Sequence, residues 1–504
     1  MTARLARAVH ALWTAPVRAF ALGLSAALGQ APFGLWPLAV AAFFGLTWLV
    51  THAPGPRRAA LIAWAGGAGH FALALSWIVE PFLVDIRTHG WMAPFAIVAM
   101  AGGLALFWGL AGGFAGWAGQ GVRRRALAFA VALAAVELAR GYVLTGFAWA
   151  LPGHIWIGAP QMQLGALAGP VGLTLLTTFA AALPLILPLG PGRAAGAVMA
   201  ALMVTGAGLW GALRLEMPMP PDADPPHIRL IQPNAAQHLK WRRDMIPVFW
   251  ERQLAFTAAP AEQPPDLIIW PETAVPWLLN DAGGALERIA DAAGDVPVML
   301  GIQRREDARF YNSLAVLDPG GAVSRVYDKH HLVPFGEYIP LGPVLGRLGI
   351  KGLAARDSYG YAAGPGPTVL DLGTRLGTAL PLICYEAVFP QDLRGPERPR
   401  WLVQITNDAW FGDRTGPYQH LALARLRAVE QGLPLVRAAN TGVSAVIDAR
   451  GRITHSLALN TAGHVTAPLP PALPPTPYAG MGDMPAALAL AAMLAALVAV
   501  RRRK

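Results

Sequence analysis

The chain has 504 residues, of which 54% are apolar and only 14% charged, with one cysteine and a net charge of +10. A soluble domain carries about 25% charged residues, so a wholly soluble protein is excluded, and a single thiol excludes an intrachain disulfide. The basic excess does not point to nucleic acid, because much of it is arginine flanking apolar stretches, where it meets anionic lipid head groups.

Residues 19–56, 59–79, 88–122, 141–192 and 194–213 contain no Asp, Glu, Lys or Arg. A membrane-spanning helix takes about 20 apolar residues. The stretches therefore predict seven spans near 14–31, 34–51, 59–79, 92–118, 126–147, 163–188 and 195–213, and an eighth follows at 484–500. Arg4, Arg7 and Arg18, then Arg57 and Arg58, Arg123 to Arg125, Arg193 and the closing Arg501-Arg-Arg-Lys504 occupy every second loop or end. By the positive-inside rule both termini are cytoplasmic and the region between the last two spans is outside. The first span reads as an uncleaved helix, since Gly29, Gln30 and Ala31 run directly into more apolar sequence. Glu137 and Arg140 lie one turn apart inside the fifth span. Intramembrane charge can mark a function, but mutual pairing is the reading taken here.

Three domains follow: a seven-span domain over 1–215, an outer α/β domain over 216–483, and a C-terminal span with a basic tail over 484–504. Residues 216–226 are a linker rich in Pro, Met and Asp. Beyond it, strands are predicted at His227–Gln232, Asp266–Trp270, Val296–Ile302, Ser313–Leu317, Val323–Tyr327, Thr368–Leu372, Thr378–Cys384, Trp401–Thr406, Leu435–Ala438 and Ser444–Asp448. Helices are predicted at Asp244–Ala258, Gly284–Ala293 and Pro417–Gly432. Alternation of this kind implies a sheet with helices on its faces.

Polar residues recur where these strands end. Glu272 follows Leu-Ile-Ile-Trp-Pro, Cys384 follows Leu-Pro-Leu-Ile, and Asn407 and Asp408 follow Leu-Val-Gln-Ile-Thr. That edge is where α/β sites form. Between them a proline-rigid loop, Tyr327 to Pro340, carries Lys329 and Glu337. A free cysteine is most often a small buried hydrophobe. A thiol with a carboxylate to take its proton and an ammonium beside it is instead a nucleophile for acyl carbon, with the lysine placed to stabilise the oxyanion. Glu272, Lys329 and Cys384 have the required chemistry.

Trp270-Pro-Glu-Thr273, Lys329-His-His-Leu-Val-Pro-Phe-Gly-Glu337 and Cys384-Tyr-Glu386, in that order, resemble the nitrilase (carbon–nitrogen hydrolase) superfamily. With Thr406-Asn-Asp-Ala-Trp-Phe-Gly412 and Arg437-Ala-Ala-Asn-Thr-Gly442, set between seven spans and one, the whole chain resembles the apolipoprotein N-acyltransferase family. The resemblance implies a polytopic α-helical membrane domain of about eight spans, and an extracytoplasmic α-β-β-α sandwich with a Glu-Lys-Cys triad. It also implies a bacterial inner-membrane location with the catalytic domain in the periplasm. The implied reaction takes a fatty acyl chain from a phospholipid donor onto Cys384, then to the α-amine of a diacylated apolipoprotein acceptor. Glu272 would be the general base, Lys329 the oxyanion partner, and Glu337 the family's second glutamate or a loop-bracing carboxylate. No cofactor and no metal are called for, and the protein is read as a monomer.

Tyr385 and Glu386 would line the site, Glu386 alternatively pairing with an arginine such as Arg437. Trp241 matches a family tryptophan over the pocket, or is a core aromatic. Trp410 and Phe411 could hold acyl chain or pack, while Asn312 and Asn440 fix loops. His330 and His331 do not suggest a metal, since adjacent histidines of an extended chain face opposite sides and no Asp/His cluster accompanies them. Pro340 to Ala355 is expected to be an apolar loop that touches lipid, gates the site or simply packs. Two rivals remain: a membrane-tethered amidase or hydrolase with the same triad, and a transporter, which would need more polar residues inside the spans.

Overall fold

The computed structural model describes residues 2–187, 191–340, 360–395 and 397–502. Beyond Pro340, the apolar loop expected to Ala355 lies outside the described residues, as do Arg503 and Lys504. The chain packs as two compact units, residues 1–218 with 476–504, and residues 219–475.

The first unit is helical. Its long helices are α1 (Thr2–Ala27), α2 (Trp36–Thr51), α3 (Pro56–Ala74), α4 (Ala93–Ala118), α5 (Val122–Arg140), α6 (Gly165–Ile186) and α7 (Pro191–Glu216), with a last helix, Met484–Arg502, against α5. Helices α2, α3 and α4 each open with proline in the first turn, where its fixed φ is pre-set and its missing N–H costs nothing. Small residues let helices approach: a Cβ on Gly112 of α4 would come within 2.5 Å of Ala59 O on α3.

Helices thus lie at all eight predicted stretches, but among the described residues length and apolarity alone qualify four for crossing a membrane, Ile86–Ala118, Pro160–Ile186, Ala194–Glu216 and Met484–Arg502, while Ala15–Ala27 and Trp36–Thr51 are shorter apolar helices. Pro56–Ala74 with Ser76–Leu83, bent by 62°, makes a fifth. Helix α5 stops at Arg140 rather than continuing to 147. The Arg140 guanidinium donates to Phe147 O and to Trp149 O, and Phe147 N to Arg140 O at 2.8 Å, so the chain folds back. Glu137 and Arg140 do pair, at 2.5 Å, with about 1% of either side chain exposed. Trp108 Nε1 donates to the same carboxylate at 2.8 Å.

The second unit has two six-stranded sheets. The strands are β1 (His227–Gln232), β2 (Leu267–Ile269), β3 (Val298–Glu306), β4 (Arg309–Leu317), β5 (Val323–Asp328), β6 (Leu370–Asp371), β7 (Thr378–Ile383), β8 (Trp401–Thr406), β9 (Leu435–Ala439), β10 (Ser444–Ile447), β11 (Ile453–Leu457) and β12 (Gly463–Pro468). Their orders are β12-β1-β2-β3-β4-β5 and β11-β10-β9-β8-β7-β6. Strand β12, antiparallel to β1, was not anticipated from sequence. The runs β1-β2-β3 and β7-β8-β9 are parallel. Such strands are buried on both faces and read as continuous apolar runs, as the fully enclosed Trp401–Thr406 does.

Helices α8 (Ile246–Thr257) and α9 (Gly283–Ala293) cover the first sheet: Trp250, Leu254, Leu286 and Ile289 pack with Ile268, Val298, Leu300 and Ile302. Helix α10 (Gly416–Gln431) covers the second, Leu421, Ala424 and Ala428 packing with Leu380, Leu382, Leu402 and Leu435. The other faces meet, with Ser444 Oγ of β10 donating to Gln232 Oε1 of β1 at 2.6 Å. The layers are therefore α-β-β-α. The β3-β4-β5 meander is antiparallel, so β5 runs with β2, and Glu272 and Lys329 emerge at the same sheet edge.

Candidate active site

Glu272, three residues beyond the end of β2 at Ile269, is 6% exposed. Its Oε1 accepts from Asn312 Nδ2 at 2.7 Å and lies 3.8 Å from Lys329 Nζ. Its Oε2 accepts from the Asn407 backbone N–H at 2.8 Å. Both oxygens are thus fixed before any substrate arrives. The turn after it holds Thr273 at φ +46°, and it lies so close to β3 that a Cβ on Gly301 would sit 2.5 Å from Pro271 O.

Lys329, 1% exposed, follows β5. Its Nζ donates to Glu337 Oε1 at 2.8 Å. Asn312 Nδ2 also reaches Glu337 Oε1, at 3.3 Å, and Glu337 Oε2 accepts from Val333 N at 2.8 Å. Glu337 is therefore both partner of the lysine and brace of its loop. Burial works against charge on Lys329, but the Glu337 and Glu272 carboxylates outweigh it and hold the ammonium well above its ordinary range.

Cys384, 5% exposed, closes β7 with a left-handed backbone, φ +53°. That conformation is uncommon for a non-glycine residue and gathers at functional sites. Burial raises its pKa, the Glu272 charge adds to the rise, and Lys329 opposes it. Burial thus favours the protonated thiol, within the electrostatic reach of both partners.

Glu386 is fully enclosed. It accepts from Ile383 N (2.6 Å), Tyr327 OH (3.0 Å) and His330 N (2.8 Å), tying the cysteine turn to the lysine loop. It does not pair with Arg437, which donates to Asp408 Oδ2 and Gln404 Oε1. The histidines correct an expectation: they do not diverge. His331 Nδ1 is 2.7 Å and His330 Nε2 3.7 Å from the same Asp392 carboxylate, because the 3-10 turns after Cys384 bring Asp392 to their loop. Burial disfavours the His330 imidazolium, yet Asp392 and Glu386 raise its pKa to about 10. Tyr385, 5% exposed, lies edge-on to the His331 and Phe389 rings. Trp410 is half-buried in the turn after Asn407, and Phe411 packs edge-on to His420. Asn407 Nδ2 donates to Gln237 Oε1, and Asn440 Nδ2 to Asn407 Oδ1, both at 2.8 Å.

Three participants escaped sequence reasoning. Lys240 is 7% exposed, and its Nζ donates to Glu272 O (3.2 Å) and Thr273 Oγ1 (2.9 Å), 5.1 Å from the centre of the Trp241 ring. Burial lowers its pKa to about 8, against the pull of Glu272. Trp241 and Lys240 line a cavity with Phe249, Trp250 and Pro271. Gln404 Nε2 donates to the Cys384 carbonyl at 3.1 Å, and His420 Nε2 faces the same oxygen at 3.0 Å. His420 Nδ1 in turn is 2.9 Å from Asp408 Oδ1. The Asp408 carboxyl is held at about 2, the Arg437 guanidinium overcoming burial. This enclosed ring of Gln404, Asp408, His420 and Arg437 holds the Cys384 carbonyl.

An oriented carboxylate, a charged lysine and a buried thiol at the facing edges of an α-β-β-α sandwich define a carbon–nitrogen hydrolase domain, here carried on an apolar helical unit. The carbon-nitrogen hydrolase family model matches residues 230–473, and that of the apolipoprotein N-acyltransferase N-terminal domain matches 22–183. The apolipoprotein N-acyltransferase of Caulobacter vibrioides is 41% identical over 94% of this chain and 92% of its own length. Those of Sinorhizobium fredii and Brucella melitensis are 40% and 38% identical, over 90% and 99% of this chain and 90% and 98% of theirs. The chain belongs to the apolipoprotein N-acyltransferase family.

Proposed function

We propose that the enzyme transfers a fatty acyl chain from a membrane phospholipid to the N-terminal amine of S-diacylglyceryl-cysteine in apolipoproteins, through a thioester on Cys384. Glu272 takes the Sγ proton as sulfur attacks the ester carbonyl, and Lys329 Nζ receives the charge growing on oxygen. The protonated Glu272 then returns the proton to the departing glycerol oxygen, releasing a lysophospholipid. In the second half the acceptor amine attacks the thioester, Glu272 takes its proton, and the thiol leaves reprotonated beside the new amide. Asn312 and Glu337 hold the base and the lysine, Glu386 ties their loops, Asn407 orients Glu272, and Tyr385, Trp241 and Trp410 offer apolar surface. Arg437 acts one layer beneath, through Gln404 and Asp408.

The observation that supports this reading is Lys329 Nζ, 2.8 Å from Glu337 and 3.8 Å from Glu272, with its charge felt by a buried thiol whose pKa is raised. Eight spans, both termini in the cytoplasm and a catalytic domain in the periplasm of a bacterial inner membrane complete the proposal. A monomer suffices. A hydrolase of small amides has no use for the apolar helical unit, whereas two lipid-anchored substrates require it.

Acyl capture tests it. Purified enzyme with labelled phospholipid should form a hydroxylamine-labile adduct on Cys384, absent in Cys384→Ala and discharged by a diacylated lipopeptide with a free amine. Discharge by water at the same rate would favour the hydrolase.

A further inference from the structure

Arg123 and Arg124 stand together in the first turn of α5, and among the described residues neither has a hydrogen bond or ion pair. Their neighbour Arg125 is committed, donating to Thr51 O (3.3 Å) and Ala53 O (2.6 Å). Arg501, on the last helix, lies 4.1 Å from the centre of the Trp117 ring. Arg123 is exposed and Arg124 half-buried, both at a helix N-terminus, where backbone N–H groups already favour negative charge.

Directly below them α5, the last helix and Ile186 of α6 line an open cleft of about 420 Å³, within the range of small-ligand sites. One wall is Leu127 and Val131, one and two turns in from the arginines. The other is Met493, Ala496 and Val500, spaced to share one face of the last helix. Eight residues of helix from Arg123 to Val131 span about 12 Å. The slot is apolar along its length and cationic only at its mouth. The carboxylate of α5, Glu137, lies at the other end of that helix and is bonded to Arg140 and Trp108.

We propose that this cleft binds one anionic phospholipid of the cytoplasmic leaflet, its phosphate on Arg123 and Arg124 and an acyl chain in the slot between α5 and the last helix. The inference rests on the membrane-spanning reading of the helical unit, but not on the triad. Charge complementarity selects the head group. The apolar slot selects a lipid over free phosphate, which would use the arginines and leave Leu127 to Val131 uncovered. Occupancy would fill the space between the last helix and α5, so the lipid acts as packing material as well as ligand.

Native mass spectrometry of the full-length protein in detergent tests the site, with phosphatidylglycerol, phosphatidylcholine of the same chains, and inorganic phosphate as probes. Phosphatidylglycerol should bind one copy roughly thirty-fold more tightly than phosphatidylcholine, the worth of two basic residues at an anionic surface. The preference should vanish in R123Q/R124Q. Ala496→Phe, which fills the slot and leaves both arginines, should weaken phosphatidylglycerol binding with inorganic phosphate unaffected. Equal binding of the two lipids, or unchanged phosphatidylglycerol binding in either variant, overturns the proposal. If R123Q/R124Q does not fold, R124Q and Ala496→Phe decide it by the same readout. Acyl-thioester formation on Cys384, followed in the same samples, should be kept by both variants. A protein that still inserts into bilayers yet shows no lipid preference refutes the site and leaves the membrane reading standing, whereas one that stays soluble without detergent refutes both.

Discussion

The Asn312 amide donates to Glu272 Oε1 at 2.7 Å, and reaches Glu337 Oε1 at 3.3 Å with the same nitrogen. A residue expected only to fix a loop bridges Glu272 and Glu337, the brace of the lysine. Asn312→Ala should leave two enclosed carboxylates short of a donor. Hydrogen bonds to charged groups are worth about 1.5–3 kcal/mol, so kcat should fall about ten- to a hundred-fold with lipopeptide KM little changed. Steady-state acylation assays check both.

Glu272→Gln keeps the shape and the Asn407 contact but removes the proposed base. Cys384 then stays protonated through burial. Thioester formation should drop by about 10²–10⁴. Lys329→Ala should lose at least roughly 10²–10³. Single-turnover labelling separates the two half-reactions.

Lys240 gives the site an alkaline limit. Its ammonium, at a pKa of about 8 because of burial, loses its proton as pH rises through that value, and Glu272 loses a positive neighbour. Activity should therefore decline above about pH 8. Lys240→Arg, charged to beyond about pH 12, should move the decline upward, and Lys240→Met should be low at every pH. A kcat–pH profile distinguishes them.

Asp408 gives an acid limit to stability. Its folded pKa, about 2, lies below the ordinary 3.8. The contribution is complete above the unfolded value and is lost as pH falls through about 2, amounting to about 2 kcal/mol. Asp408→Asn should also leave Arg437 buried and unpaired, a loss of about 3–5 kcal/mol. Thermal unfolding at neutral and acid pH measures both.

Gly301→Ala should push Pro271 and Glu272 off β3, since the added carbon would lie 2.5–2.6 Å from their backbone atoms. Overpacking of this kind costs about 1–3 kcal/mol. Activity should fall further than stability alone explains, which melting and kcat measured on one sample will reveal.

Much of this was legible because local chemistry announced it. Glu272 and Cys384 each close an apolar strand, and Lys329 sits in a loop that prolines stiffen, so unusual settings marked them. Lys240 carried no such mark: a lysine in a four-residue helix, Gln237–Lys240, looks like any surface lysine until the chain folds over Glu272. His420 reaches the Cys384 carbonyl from 36 residues away, and its place on α10 reads as ordinary helix. Residues 141–147 are apolar enough to continue a helix, yet the Arg140 side chain draws the carbonyls of Phe147 and Trp149 to itself. Strand β12 is a short half-buried run that forms by pairing with β1 at the far end of the domain. What sequence hid was in each case decided by partners distant along the chain or by a side chain overruling the backbone's local preference.

The enclosure of Cys384 has a further effect. Oxidants such as peroxide attack the thiolate and pass through sulfenic acid toward forms that cannot be restored. A buried sulfur whose pKa is raised presents little of that target at rest. No second cysteine in the sequence could rescue it by disulfide exchange, and burial limits how far its surroundings can inactivate it.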